Sequence, residues 1–145
     1  MKLTRAATYA LHALHHMASR GGDAPVPSHV VARARGIPEL FLLKVLKQLV
    51  SARVLVSLKG PNGGYRLARP PGDVSLLEVI EAVEGPIRGQ APRIDSPAAR
   101  ALDRRLEAVC DEAADAAREG LGRVRLSDLA VGEGGKGKGR RRAGA

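Results

Sequence analysis

Residues 58–65, Leu-Lys-Gly-Pro-Asn-Gly-Gly-Tyr, put a lysine beside a tip built almost wholly from residues that bend the chain. A lysine side chain is a mobile point charge suited to phosphate oxygens, and small residues let the backbone approach a ligand closely. The chemistry on offer is capture of a polyanion, with no bond made or broken. Short β-rich runs flank the tip, 54–58 before it and 65–68 after it. Gly60, Pro61, Asn62, Gly63 and Gly64 supply the fixed and the positive φ values that a tight connection needs. The stretch therefore reads as a β-hairpin, with Lys59 and Arg66 on the two sides of its tip.

Other reactive side chains point to packing and capping. His12 and His16 lie one helical turn apart beside His15, but no cysteine or carboxylate follows at metal-site spacing. They read as a solvated helix face, and no metal is expected. Cys110 stands among Glu107, Asp111 and Glu112, whose negative charge disfavours a reactive thiolate, so it reads as a packing residue. Ser28 and Ser75 read as helix caps, and no nucleophile, base and orienter stand at an interpretable spacing. Gly60 to Gly64 lacks the following Lys-Ser/Thr of a phosphate-binding loop and leads into a strand. An enzyme is not expected, nor is a cofactor.

Several helices must position the hairpin. Residues 4–19 repeat apolar positions at helical spacing through Ala7, Ala10, Leu11, Leu14, Met17 and Ala18, with Thr4 as the N-cap and Gly21 at the end. A second helix starts at Ser28 as N-cap, faces Val30, Val31 and Ala34 inward, and stops at Gly36. Pro38 suits the first turn of a third, in which Leu42, Val45, Leu46 and Leu49 are the buried stripe and Lys44, Lys47 and Gln48 face outward. Ser75-Leu76-Leu77-Glu78 has the spacing of a capping box and starts a fourth. Residues 85–96 read as a linker, after which Ser96-Pro97 caps and starts a longer helix over 97–119. Its Ala99, Leu102, Leu106, Val109, Ala113 and Ala116 alternate three and four apart, a heptad seam suited to pairing with a second chain.

Charge follows the same map. The net charge of this 145-residue chain is +9. Residues 1–84 hold 11 Lys/Arg against 6 Asp/Glu, residues 85–131 hold 8 against 8, and residues 132–145 hold 5 against 1. Basicity confined to the hairpin-bearing segment and the tail is a nucleic-acid footprint. Helix, glycine turn, helix and basic hairpin together form the layout of a winged helix, so the expected class is mainly α with one small β-hairpin.

The chain also resembles a known family. Met1-Lys2-Leu3-Thr4, Tyr9-Ala10-Leu11, Lys59-Gly60-Pro61-Asn62-Gly63-Gly64-Tyr65-Arg66-Leu67-Ala68 and Leu77-Glu78-Val79-Ile80-Glu81-Ala82-Val83-Glu84-Gly85 are similar, in that order, to the Rrf (type two) family of bacterial winged-helix transcription regulators. The resemblance covers residues 1 to about 130 and implies a homodimer joined through the long helix, gripping a pseudo-palindromic operator. It implies a recognition helix over 38–49 and a wing over 59–65. Glu39, Leu40, Leu43 and Lys44 would then face bases, while Lys2, Arg5, Lys47 and Lys59 would contact phosphates, with Ser28 and Gly60 to Tyr65 on the same surface. Leu43 departs from relatives that carry a polar, base-reading side chain there, and a leucine offers a thymine methyl no more than an apolar contact. Many members also hold an iron–sulfur cluster on three closely spaced cysteines. Those sites fall here near Pro92, Ala98 and Arg104, and one thiol cannot supply the set, so no cluster of that kind is expected.

The resulting expectation is a DNA-binding regulator, a repressor, acting as a homodimer on double-stranded DNA. Its parts would be a winged helix over 1–84, a linker over 85–96, a dimerisation helix with a short C-terminal element over 97–131, and a disordered basic tail over 132–145. The alternative is a non-specific DNA-binding or protein-docking winged helix, favoured by Leu43 and the basic tail. The absence of a long apolar run, of a leader-like pattern at Met1 and of more than one cysteine points to the cytoplasm and the nucleoid, with no membrane partner.

Overall fold

The computed structural model describes residues 1–129, so the basic tail lies outside the described residues. Five helices and one antiparallel hairpin follow in the order α1 Arg5–Arg20, α2 Ser28–Arg35, α3 Glu39–Ser51, β1 Leu55–Leu58, β2 Gly64–Leu67, α4 Leu76–Glu84 and α5 Arg100–Gly122. Fold class and order agree with the sequence reading.

Thr4 caps α1 as expected, its Oγ1 accepting from the Ala7 N–H at 3.1 Å. Its own N–H donates to Glu84 Oε1 at 2.8 Å, which ties the start of α1 to the end of α4. Three alanines, Ala7, Ala10 and Ala13, are fully buried on α1 beside Leu14 and Met17. Small side chains let α1 lie close against its neighbours. The α3 stripe is buried as the spacing requires, with Leu42, Val45, Leu46 and Leu49 inside. Each such side chain contributes about 1.5–3 kcal/mol on removal from water. Val54, Leu55 and Val79 close the same core.

Several local expectations need correction. Ser28 is the first residue of α2, with Pro27 at the N-cap and no side-chain cap. Ala32, not Ala34, is the buried alanine there, because α2 turns a different face to the core. Pro38 is the N-cap of α3, outside its first turn. Residues 97–99 form a separate 3-10 turn, so α5 begins at Arg100 and Ala99 precedes it; Ser96 makes no capping bond. The capping box at Ser75 is present in both directions: Ser75 Oγ accepts from the Glu78 N–H at 3.1 Å, and the Ser75 N–H donates to Glu78 Oε2 at 2.9 Å.

Two pairings join distant parts of the chain. Val26 and Tyr65 exchange backbone hydrogen bonds of 2.8 and 2.9 Å, so the segment before α2 pairs with the hairpin as an isolated bridge. After α5 the chain returns to Val74 and Leu76 through backbone bonds of 2.8 Å each, and Leu126 enters the core. Residues 85–96 have no regular structure after Gly85, yet they lie along α5. Arg93 pairs with Glu107 through bonds of 2.8 and 2.9 Å, and the Ile94 N–H donates to Asp103 Oδ2 at 3.2 Å. Gly89 sits so close to Cys110 and Asp111 that a Cβ has no room. The segment is therefore a strap bound to the helix.

Candidate nucleic-acid interface

The hairpin tip owes its shape to internal crowding as much as to turn chemistry. Gly60 has φ of 104° and its carbonyl accepts from the Gly63 N–H at 2.9 Å. A Cβ at Gly63 would run into the Leu58 carbonyl, and one at Gly64 would lie 2.5 Å from the Val26 carbonyl group. Gly64 therefore lets the Val26 segment pair with Tyr65, fixing the wing to the start of α2. Pro61 and Asn62 remain exposed at the end.

That pairing gathers part of the expected set into one shallow concavity, which Lys2, Arg5, Glu39, Leu40, Lys44 and Lys47 do not line. Ser28, Leu43, Lys59, Gly60, Gly63 and Gly64 line it, between the start of α2, the flank of α3 and the hairpin. His29 lies on the same rim and is exposed; it lies outside the sequence-predicted set, which took only its neighbour Ser28 from the start of α2. Tyr65 lines the concavity too but is only half-exposed and packs on the core. Leu43 is half-buried, so it does not stand freely outward.

Along α3, Leu40, Lys44 and Lys47 recur four and three apart, which puts them on one face. All three are exposed, Leu40 to 84%. Glu39, also exposed, occupies the first turn, where the helix dipole favours a negative charge. Tyr9 meets Phe41 edge-on with ring centroids 5.3 Å apart, linking the N-terminal half of α1 to the start of α3. Arg5 is one turn before Tyr9, and Arg5 and Lys2 are exposed. None of Lys2, Arg5, Lys44, Lys47 or Lys59 forms an ion pair with a described residue. Arg66 differs from Lys59. It faces away from the tip and its Nη1 donates to the Asp23 carbonyl at 3.5 Å.

A second feature is the outer face of α5. Leu102, Leu106 and Val109 are 61%, 44% and 61% exposed, and Ala113 and Ala116 follow on the same side, whereas Ala99 is half-buried before the helix starts. The helix is anchored near its C-terminal end, where Gly122 approaches Leu77 of α4. The three large apolar residues of the seam thus remain largely uncovered within the chain.

The histidines lie differently from expectation. His12 is exposed, but His15 and His16 are half-buried, and His15 Nδ1 lies 3.0 Å from Arg35 Nη2. Among the described residues no three His, Cys, Asp or Glu side chains stand together as a metal set, and no helix is long and apolar enough to cross a membrane.

Residues 3–132 match the Rrf2 family, described as an iron-dependent transcriptional regulator. The chain is 34% identical over 84 residues to the HTH-type transcriptional regulator IscR of Aliivibrio salmonicida, covering 58% of this chain and 50% of that protein. It is 28% identical over 131 residues to the HTH-type transcriptional regulator CymR of Bacillus subtilis, covering 90% of each. The chain spans about half the length of the first curated relatives it matches. Among solved structures it is similar to CymR, the global cysteine regulator of B. subtilis, with a TM-score of 0.70 at 28% identity, covering 90% of this chain and 96% of that one. CymR of Staphylococcus aureus in its oxidized form gives a TM-score of 0.66 at 25% identity, covering 91% of this chain and 98% of that one. The donor set here does not fit an iron–sulfur cluster. Pro92 of the strap, Ala98 of the 3-10 turn and Arg104 of α5 stand where the resemblance puts the cysteines, and Cys110, the single thiol, lies against Gly89.

Proposed function

We propose that this chain, which belongs to the Rrf2 family, is a transcription regulator that binds double-stranded DNA as a homodimer and represses at a pseudo-palindromic operator. The observation that carries the reading is the pair of exposed lysines on α3, Lys44 and Lys47, together with Lys59 of the wing, with no ion pair to a described residue. Cations left without carboxylate partners are free to replace the counterions of a phosphate backbone. On this reading Glu39, Leu40, Leu43 and Lys44 meet base edges, Lys2, Arg5, Lys47 and Lys59 meet phosphates, and Ser28 and the 60–65 tip line the contact. The α5 seam of Leu102, Leu106, Val109, Ala113 and Ala116 joins two copies, and two copies present two such faces to two half-sites. Regulation of this kind places the protein in the cytoplasm, on the nucleoid.

Half-buried Leu43, which has no hydrogen bond to offer a base, favours a second reading, a non-specific DNA-binding or protein-docking module. Competition separates the two. A site selected from random DNA should outcompete unselected DNA by about 10³-fold or more for a specific regulator. Equal competition by both DNAs would favour the second reading.

A further inference from the structure

Leu40 is 84% exposed, the most exposed of the large apolar side chains on α3. It contributes nothing to the core, which Leu42, Val45, Leu46 and Leu49 build from another side of the helix. It shares its face with Lys44 and Lys47, which have no ion pair to a described residue. Single exposed leucines are common and need no partner. This one leads the cationic face of the helix assigned to the major groove.

Only one apolar group projects from standard base pairs into that groove, the C5-methyl of thymine. The other recognition groups there are hydrogen-bond donors or acceptors, which a leucine would strip of water without replacing the bond. An apolar side chain at this place therefore gains at a thymine and loses at a cytosine or guanine. Leu43 is less suited to the task. It is half-buried, on the flank between α2 and the hairpin.

We propose that Leu40 is a specificity-determining residue that reads the C5-methyl of one thymine in each half-site. The inference rests on the DNA-reading assignment above. Burial of one methyl corresponds to about a fourfold change in Kd per half-site, and about fifteenfold for a dimer that engages both.

The test replaces thymine by deoxyuridine, which deletes the methyl and keeps every hydrogen bond. The full chain first selects its preferred site from random duplex DNA. Each thymine pair of that site, one per half-site, is then exchanged for deoxyuridine, and Kd is measured for the wild type, Leu40→Ala and Leu43→Ala. One thymine pair should show the roughly fifteenfold penalty in the wild type and in Leu43→Ala. Leu40→Ala should bind the thymine site more weakly and be indifferent to the exchange. A penalty retained by Leu40→Ala, or one abolished only by Leu43→Ala, overturns the assignment. Strong selective binding with no penalty at any thymine also overturns it while leaving the regulator reading intact. Failure to select any site removes both.

Discussion

Lys59 and Lys44 are both exposed, but their backgrounds suit them to different work. Lys59 adjoins a glycine-rich tip and carries a point charge on a flexible stem. On the DNA-reading assignment, Lys59→Ala should weaken binding to all sequences alike and make the salt dependence shallower. Lys44 lies one turn into α3 beyond Leu40, where a side chain reaches guanine O6 and N7 in the major groove. Lys44→Ala should cost about 1–3 kcal/mol on the preferred site and little on random DNA. Salt titrations of both variants on both DNAs check the pair, and retention of full affinity by both would move the DNA-binding surface elsewhere. Gly64 makes a structural prediction at the same scale. Its φ is 147°, and a Cβ added there would lie 2.5 Å from the Val26 carbonyl group, so the backbone leaves no space for a side chain. Gly64→Ala should cost about 2 kcal/mol or more and lower Tm by several degrees.

At the scale of elements, α4 shows how one capping box couples neighbours. Glu78 satisfies the Ser75 N–H and pairs with Arg69 at 2.6 Å, while Ser75 Oγ satisfies the Glu78 N–H. Burial pushes the Glu78 carboxyl upward, but the Arg69 hydrogen bond, the Ser75 backbone N–H and the Arg69 charge together outweigh it and hold it below its ordinary value. A carboxylate lowered in the folded state stabilises above its unfolded value, and that contribution is lost as pH falls through the folded value. Glu78→Gln keeps a capping acceptor and removes only the charge. It should be less stable than wild type at pH 7, with the gap narrowing as acid protonates the carboxyl, in urea denaturation. Because both side chains are at least about a third exposed, the neutral-pH gap should stay within about 1 kcal/mol. A gap that acid leaves unchanged would assign the effect to geometry.

The whole molecule presents α5 as a helix tethered at both ends and apolar along its outer face. The strap over 85–96 holds one flank through Arg93–Glu107 and Ile94–Asp103, and the return of the chain to Val74 and Leu76 holds the far end. The helix is thus set in place before any partner arrives, which lowers the ordering cost of association. On the dimer assignment, Leu106→Asp puts a charge in the middle of an apolar contact. Sedimentation should find that variant mostly monomeric, and an unchanged dimer would locate the interface away from this face.

The sequence by itself determined the elements and much of the candidate surface. Helical periodicity gave the α3 core stripe of Leu42, Val45, Leu46 and Leu49, and turn residues gave the hairpin, because both signals are local. The heptad spacing singles out Leu102, Leu106 and Val109, and all three are exposed on α5. Local signals failed at element ends. The end of α3 has no glycine, and Arg53 takes the left-handed conformation instead, at φ 60°; Ser28 and Ser96 look like side-chain caps, but neither side chain makes a capping bond. Pairings between distant segments were illegible. Val26 with Tyr65, Leu126 in the core and the strap along α5 join residues far apart in the chain, and such contacts depend on where whole elements settle. Tertiary packing alone therefore decided that Gly64 is crowded and that Leu43, expected outward beside Leu40, is half-hidden.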